Sequence, residues 1–178
     1  QFLPVVNVRS PVKLTITPTV PALAGQEVEL TLTLMTHAGK PIAPADLLNV
    51  HTELLHLMII DPQLMDYHHV HPKPGREPGR WSFRFTPRYG GEYRFFADFT
   101  PAATGLGLYS NTALDVMGAE PASEVIAEAH QLSWVKTVED CRFEMQPKEG
   151  IVRAGKEAQI TLSITRLDGG AVALRPVM

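Results

Sequence analysis

The stretch Ala24-Gly25-Gln26-Glu27-Val28-Glu29-Leu30-Thr31-Leu32-Thr33-Leu34 sets the fold class. In an extended chain Val28, Leu30, Leu32 and Leu34 fall on one side, and Glu29, Thr31 and Thr33 on the other. That period of two predicts a strand with one face buried and one in water. Upstream, Val12 to Thr17 alternates in the same way until Pro18 interrupts it. Downstream, similar runs span Leu55 to Ile60, Trp81 to Phe85, Glu92 to Phe99 and Ser110 to Val116. Turn chemistry separates them: His37-Ala38-Gly39-Lys40-Pro41, Asp61-Pro62 and Tyr89-Gly90-Gly91. About seven strands fit between residues 10 and 118 with no strand–helix–strand rhythm, which predicts an all-β antiparallel β-sandwich.

The deciding stretch occurs twice. Ala154-Gly155-Lys156-Glu157-Ala158-Gln159-Ile160-Thr161-Leu162-Ser163-Ile164 matches it at an offset of 130, with five of eleven positions identical and most others mild swaps. At the same offset Gly39 meets Gly169 and Ile42 meets Val172. Leu14-x-Ile16-x-Pro18 resembles Phe143-x-Met145-x-Pro147 with one residue inserted. An internal repeat of this kind predicts a second domain of the same type. The expected organisation is a sandwich over residues 10–118, a linker over 119–133 and an incomplete second copy over 134–178. Ser123 to His130 could form a short helix with Ser123 as its cap. The second copy stops at the counterpart of position 48, before any histidine segment. The expectation is that the natural gene continues, or that the last strands lean on the first domain or on another chain.

Composition narrows the function classes. The chain has 178 residues, a net charge of −3 and no Lys/Arg block, which disfavours nucleic acid as a partner. Its one cysteine, Cys141, can form neither an internal disulfide nor a cysteine-based zinc site. No run approaches the ~18 apolar residues of a membrane span. Gln1-Phe2-Leu3-Pro4 suits a mature chain after signal cleavage or an expressed fragment.

Of seven histidines, five lie between residues 51 and 71: His51, His56, His68, His69 and His71. Packing alone rarely concentrates imidazoles in this way. On a strand, His56 and Met58 share a face, and Leu55, Leu57 and Ile59 share the other; either the apolar set fills the core and His56 points out, or His56 faces a polar pocket inside. His69-Val70-His71 in extended conformation puts two imidazoles on one side, and Pro72 restricts His71 to extended values. The Asp61-Pro62 loop returns His69 and His71 towards the strand bearing His56. Three imidazoles on neighbouring segments suit Cu(II), Zn(II) or Ni(II). His51 lies at the entry to the strand. Met58 and Met65 offer thioethers suited to Cu(I). Asp98, between aromatics on a later strand, needs a partner, either an imidazole N–H or a metal. His68 faces the other way, and histidines bonded to Asp98 or to backbone are the alternative to a metal.

No catalytic constellation accompanies the cluster. The glutamate and distant histidine of a cupin are absent at the required spacing, as are a nucleophile elbow and a phosphate loop. The chain is expected not to be an enzyme.

The run from His51 to Pro72, with His56-Leu57 and His69-x-His71-Pro72, is followed by Gly91-x-Tyr93-x-x-Phe96-Ala97-Asp98-Phe99. This pattern is similar to the YtkA-type and CopC-type domains of the bacterial envelope. The resemblance covers residues 12–117. It implies an Ig-like sandwich in a periplasmic or secreted protein that handles copper or another metal, with a protein of metal transport as a partner. By position it supports His56, His69 and His71, with Asp98 beside them. The histidine-bearing N-terminus and methionine-rich loop of CopC are absent. The metal set expected from residues and resemblance together is His56, His69, His71, Asp98, His51 and Met58. The metal is copper, with zinc as the alternative. The competing class is a structural or docking module of the envelope that binds no metal.

Overall fold

A computed structural model describes residues 10–131 and 133–173. The N-terminal residues Gln1 to Pro4 and the last residues of the second copy, 174–178, lie outside the described residues. The chain divides into two compact units, with the boundary between Ala129 and His130.

The first unit is a sandwich of two antiparallel sheets. One sheet has the order β1–β2–β7–β6, with β1 Val12–Pro18, β2 Val28–Thr36, β6 Lys73–Pro74 and β7 Arg80–Phe85. The other runs β9–β8–β4–β5, with β4 His56–Ile60, β5 Tyr67–Val70, β8 Gly91–Pro101 and β9 Leu108–Val116. The two-residue β3, Leu47–Leu48, pairs with the far end of β8. The two strand orders are those of an immunoglobulin-like sandwich. The strand runs read from alternation are present, extended by a few residues at some ends. β3 and β6 are too short for a periodic signal.

Alternation places the core. Leu30, Leu32 and Leu34 of β2 are fully buried and meet Leu57 and Ile59 of β4 and Phe95 and Ala97 of β8, all likewise at 0% exposure. Leu14, Ile16, Trp81, Phe83 and Phe85 close the first sheet's inner face. Each such aliphatic or aromatic side chain contributes about 1.5–3 kcal/mol on burial. At the open side, Ser110 Oγ donates to the Val12 carbonyl at 2.8 Å and ties β9 to β1.

Helix α1, Ser123–Ala129, precedes the second unit. Among its described residues that unit forms a sheet of order β10–β11–β12, with β10 Val135–Val138, β11 Cys141–Pro147 and β12 Ile160–Arg166. Its hairpin β11–β12 repeats the ladder of β1–β2. Pro18 pairs with Leu30 and Pro147 with Ile160; Leu14 pairs with Leu34 and Phe143 with Ile164. The turns repeat as well. Gly25 and Gly155 take φ of 78° and 73°, and Gly39 and Gly169 take 82° and 77°, values that glycine adopts without the Cβ clash of other residues. Cys141 is half-buried at the end of this hairpin.

Candidate metal centre

The outer face of β4 starts the site. Leu55, Leu57 and Ile59 point into the core, so His56 and Met58 must point outward, where both are half-buried. β5 is the edge strand beside it, with Met58 opposite His69 and Leu57 opposite Val70. His71 follows two residues after His69, on the same face. Pro72, itself buried, holds His71 extended.

The return loop is fixed by Asp61. Its buried carboxylate accepts from the backbone N–H groups of Met65 at 2.6 Å, Asp66 at 2.8 Å and Gln63 at 3.2 Å. Asp66 continues the scaffold by accepting from the Tyr93 hydroxyl at 2.7 Å and from Arg88 N–H at 2.8 Å. Burial pushes the Asp66 carboxyl up, but the bonds from Arg88, Tyr93 and His68 outweigh it and leave the group below the usual range. His68 lies 3.0 Å from Asp66 and packs edge-on against Phe85, with ring centres 5.3 Å apart. It is part of this scaffold and points away from His69, as its place in the strand requires.

One ligand atom from each of His56, His69 and His71 forms a group in which no two atoms are more than 4.8 Å apart. His56 Nδ1 and His69 Nε2 are separated by 3.3 Å. Two nitrogens each ~2.05 Å from one tetrahedral ion would be about 3.3 Å apart. The ring centres of the three pairs lie at 4.9, 5.0 and 5.5 Å. Imidazoles sharing a tetrahedral ion would place theirs about 5.2 Å apart. His71 Nε2 is buried and has no hydrogen-bond partner. Burial, followed by the charges that His56 and His69 would carry, holds His71 below the ordinary imidazole range and keeps it neutral, the form that ligates.

His56 is held from behind. Its Nε2 lies 3.0 Å from the Val50 carbonyl oxygen, which can only accept. Nε2 therefore carries the proton, and Nδ1 presents its lone pair to the cluster. Val50 opens a tight turn closed by reciprocal bonds with Glu53, at 3.0 and 3.3 Å. His51 and Thr52 occupy its centre with φ of 52° and 70°, a left-handed region that histidine enters more readily than most residues and β-branched threonine rarely. An ion pair of 3.2 Å between Glu53 and Lys73 links this turn to the chain beyond His71.

Of the remaining expected ligands, His51 and Asp98 lie outside the converging group. His51 is exposed, with its ring centre 6.3 Å from that of His56. Asp98 pairs with His56 across β8 and β4 and so sits laterally on the same face, outside the group of converging atoms. Met58 lies between His69 and Phe96 in the ladder. The sequence reading missed the Val50 carbonyl, the Asp61 loop staple and the Glu53–Lys73 pair. Asp61-Pro62 was legible as a turn, but backbone acceptors leave no residue-type signal.

Residues 8–107 match the family described as a domain of unknown function, DUF8832. The match spans more than half of the chain, and the chain belongs to that family. No curated protein matches it. Among solved structures, the superoxide reductase (neelaredoxin) from Ignicoccus hospitalis is similar at 14% identity and a TM-score of 0.37, over 59% of this chain and 80% of that one. The CARDB domain of the PF1109 protein from Pyrococcus furiosus, in complex with di-metal ions, is similar at 13% identity and a TM-score of 0.32, over 66% and 99%.

Proposed function

We propose that this DUF8832 domain binds a single transition-metal ion, copper in the first place, for sequestration or transfer outside the cytoplasm. The observation that carries the reading is the convergence of His56, His69 and His71, with the buried Nε2 of His71 lacking any other partner. Three neutral imidazoles suit Cu(II) and Zn(II) alike. Met58 on the same face adds a thioether within the same strand pairing, which favours copper as the metal that cycles to a soft, monovalent form. The envelope-type pattern of His56-Leu57 and His69-x-His71-Pro72 supports an extracytoplasmic role and a partner in metal transport.

The imidazoles act as ligands, not as bases. His69 is exposed, so an incoming donor can reach the ion and displace ligands one at a time. Three protein ligands leave a fourth tetrahedral position for that exchange.

The test is a calorimetric titration of Cu(II) and Zn(II) into the protein and into a triple variant carrying His56→Ala, His69→Ala and His71→Ala. The reading expects tight one-to-one binding in the first and its loss in the second. Equal, weak binding by both would contradict it and favour a docking module without metal.

A further inference from the structure

The outer faces of the first unit's two sheets differ in chemistry. On the β1–β2–β7 side the outward positions include Thr15, Thr17, Thr31, Thr33, Ser82 and Arg84, as suits a sheet face in water. On the other sheet the outward positions of β4, β8 and β9 hold Met58, Ile60, Phe96, Tyr109 and Ala113, with Arg94 and Asp98 among them. Their inward neighbours Leu57, Ile59, Phe95 and Ala97 belong to the core, so alternation fixes the side they take.

The groups on this face are placed symmetrically. Arg94, Phe96 and Asp98 are successive outward residues of β8, so the two charges stand about 13 Å apart with the ring midway. The Asp98 carboxylate is half-buried and has no hydrogen-bond or ion-pair partner among the described residues. The Arg94 guanidinium lies 3.9 Å from Glu92, an exposed pair of little strength. The neighbouring strand follows the same pattern: Tyr109 pairs with Asp98, Asn111 with Phe96 and Ala113 with Arg94. A large side chain and a small one thus stand at equal distances on either side of an amide.

We infer that this face packs on the same face of a second copy of the chain. The two-fold axis passes over Phe96, lies in the plane of the interface and runs across the strands. It stacks β8 on β8 in opposite directions. Arg94 of each copy then faces Asp98 of the other, and the two Phe96 rings meet. On β9 the same axis sets Tyr109 against Ala113 and one Asn111 amide against the other, a pair that can exchange hydrogen bonds. On β4 it sets Met58 against Met58. The face is therefore its own complement, as a two-fold interface requires. An axis along the strands would instead put Arg94 on Arg94 and Asp98 on Asp98. Four strands spaced ~4.8 Å and about 20 Å long give a footprint of about 400 Å² per copy, small for a specific interface, so the dimer is weak and reversible. His56 lies beside Met58 on this face, so the dimer covers one flank of the histidine group; the inference itself needs no bound metal.

Sedimentation velocity of the full chain with a chelator present, across a dilution series, tests this. A concentration-dependent dimer is expected. Asp98→Arg and Arg94→Asp should each raise its dissociation constant by about tenfold or more, because each sets like charges face to face. The two changes together restore opposite charges and should bring the constant back within about threefold of its original value. Thr15→Lys, on the other sheet, should change it less than about twofold. All of these substitutions are at outward positions, and thermal unfolding checks that each variant keeps its fold. A chain that stays monomeric up to about 1 mM overturns the inference. So does a dimer that is indifferent to the single changes, or one that the double change fails to restore.

Discussion

His56 donates its Nε2 proton to the carbonyl oxygen of Val50 at 3.0 Å, which leaves Nδ1 as the nitrogen that faces His69. The nitrogen that His56 turns towards the cluster is thus chosen by a backbone group six residues earlier in the chain. Long-range proton–nitrogen correlation spectra of the metal-free protein should find neutral His56 with its proton on Nε2. A proton on Nδ1 would mean that the Val50 turn does not set the ring.

Removing single ligands should be graded by what each contributes. His71→Ala removes the nitrogen with no alternative partner and should lower metal affinity by at least a hundredfold, about 2.7 kcal/mol. His51→Ala should cost less than about tenfold, the lower end of the range for outer-shell partners, since its ring stands 6.3 Å from that of His56. Competition with a chelator of known affinity measures both. Equal losses would place His51 among the ligands.

Acid should act on the metal-free protein through His71. Burial first, and then His56 and His69, hold this group below the ordinary imidazole range when folded. The unfolded chain therefore takes up a proton more readily. Stability should be full above a pH of about 6.5, fall as the pH drops from there, and level off below the lowered native value. Urea midpoints at a series of pH values should show the fall, and His71→Ala should flatten it. A saturating metal should steepen it, because protons and metal compete for the same nitrogens.

The scaffold under the site can be weakened without touching a ligand. Tyr93→Phe removes the hydroxyl that donates to buried Asp66 at 2.7 Å. The expected loss is about 1–3 kcal/mol of folding stability, the cost of a buried acceptor left short of a donor. Metal affinity should change less than threefold. Thermal unfolding and the same chelator competition separate the two effects.

Met58 distinguishes the metals. It faces His69 in the ladder, and a thioether prefers monovalent copper to zinc. Met58→Leu keeps the volume and the apolar stem. It should leave Zn(II) affinity within about threefold and lower Cu(I) affinity by tenfold or more. Unchanged Cu(I) affinity would leave Met58 as a packing residue.

Much of this arrangement was legible because alternation is a strong signal. Leu55, Leu57 and Ile59 had to share one face and His56 and Met58 the other, though the sequence left open whether His56 faced out or into a polar pocket, and the His-x-His spacing put His69 and His71 on one side. The recurrence of the first hairpin's strand was legible in the doubled Ala-Gly turn, and its pairing register came only with the structure. What stayed hidden depends on backbone. The Val50–Glu53 turn uses His51 and Thr52 at positive φ, where glycine or asparagine would have announced it. Asp98 is opposite His56 in the ladder, yet both ring nitrogens of His56 are engaged elsewhere, by Val50 and His69. A side-by-side neighbour on a sheet face need not be a partner.

X-ray absorption of the protein loaded with one equivalent of Cu(II) tests the central claim most directly. The account predicts three imidazole nitrogens at about 2.0 Å from the metal. That number should fall to two, or the binding be lost, with His71→Ala. A spectrum dominated by water oxygens, with no more than one imidazole, would contradict it.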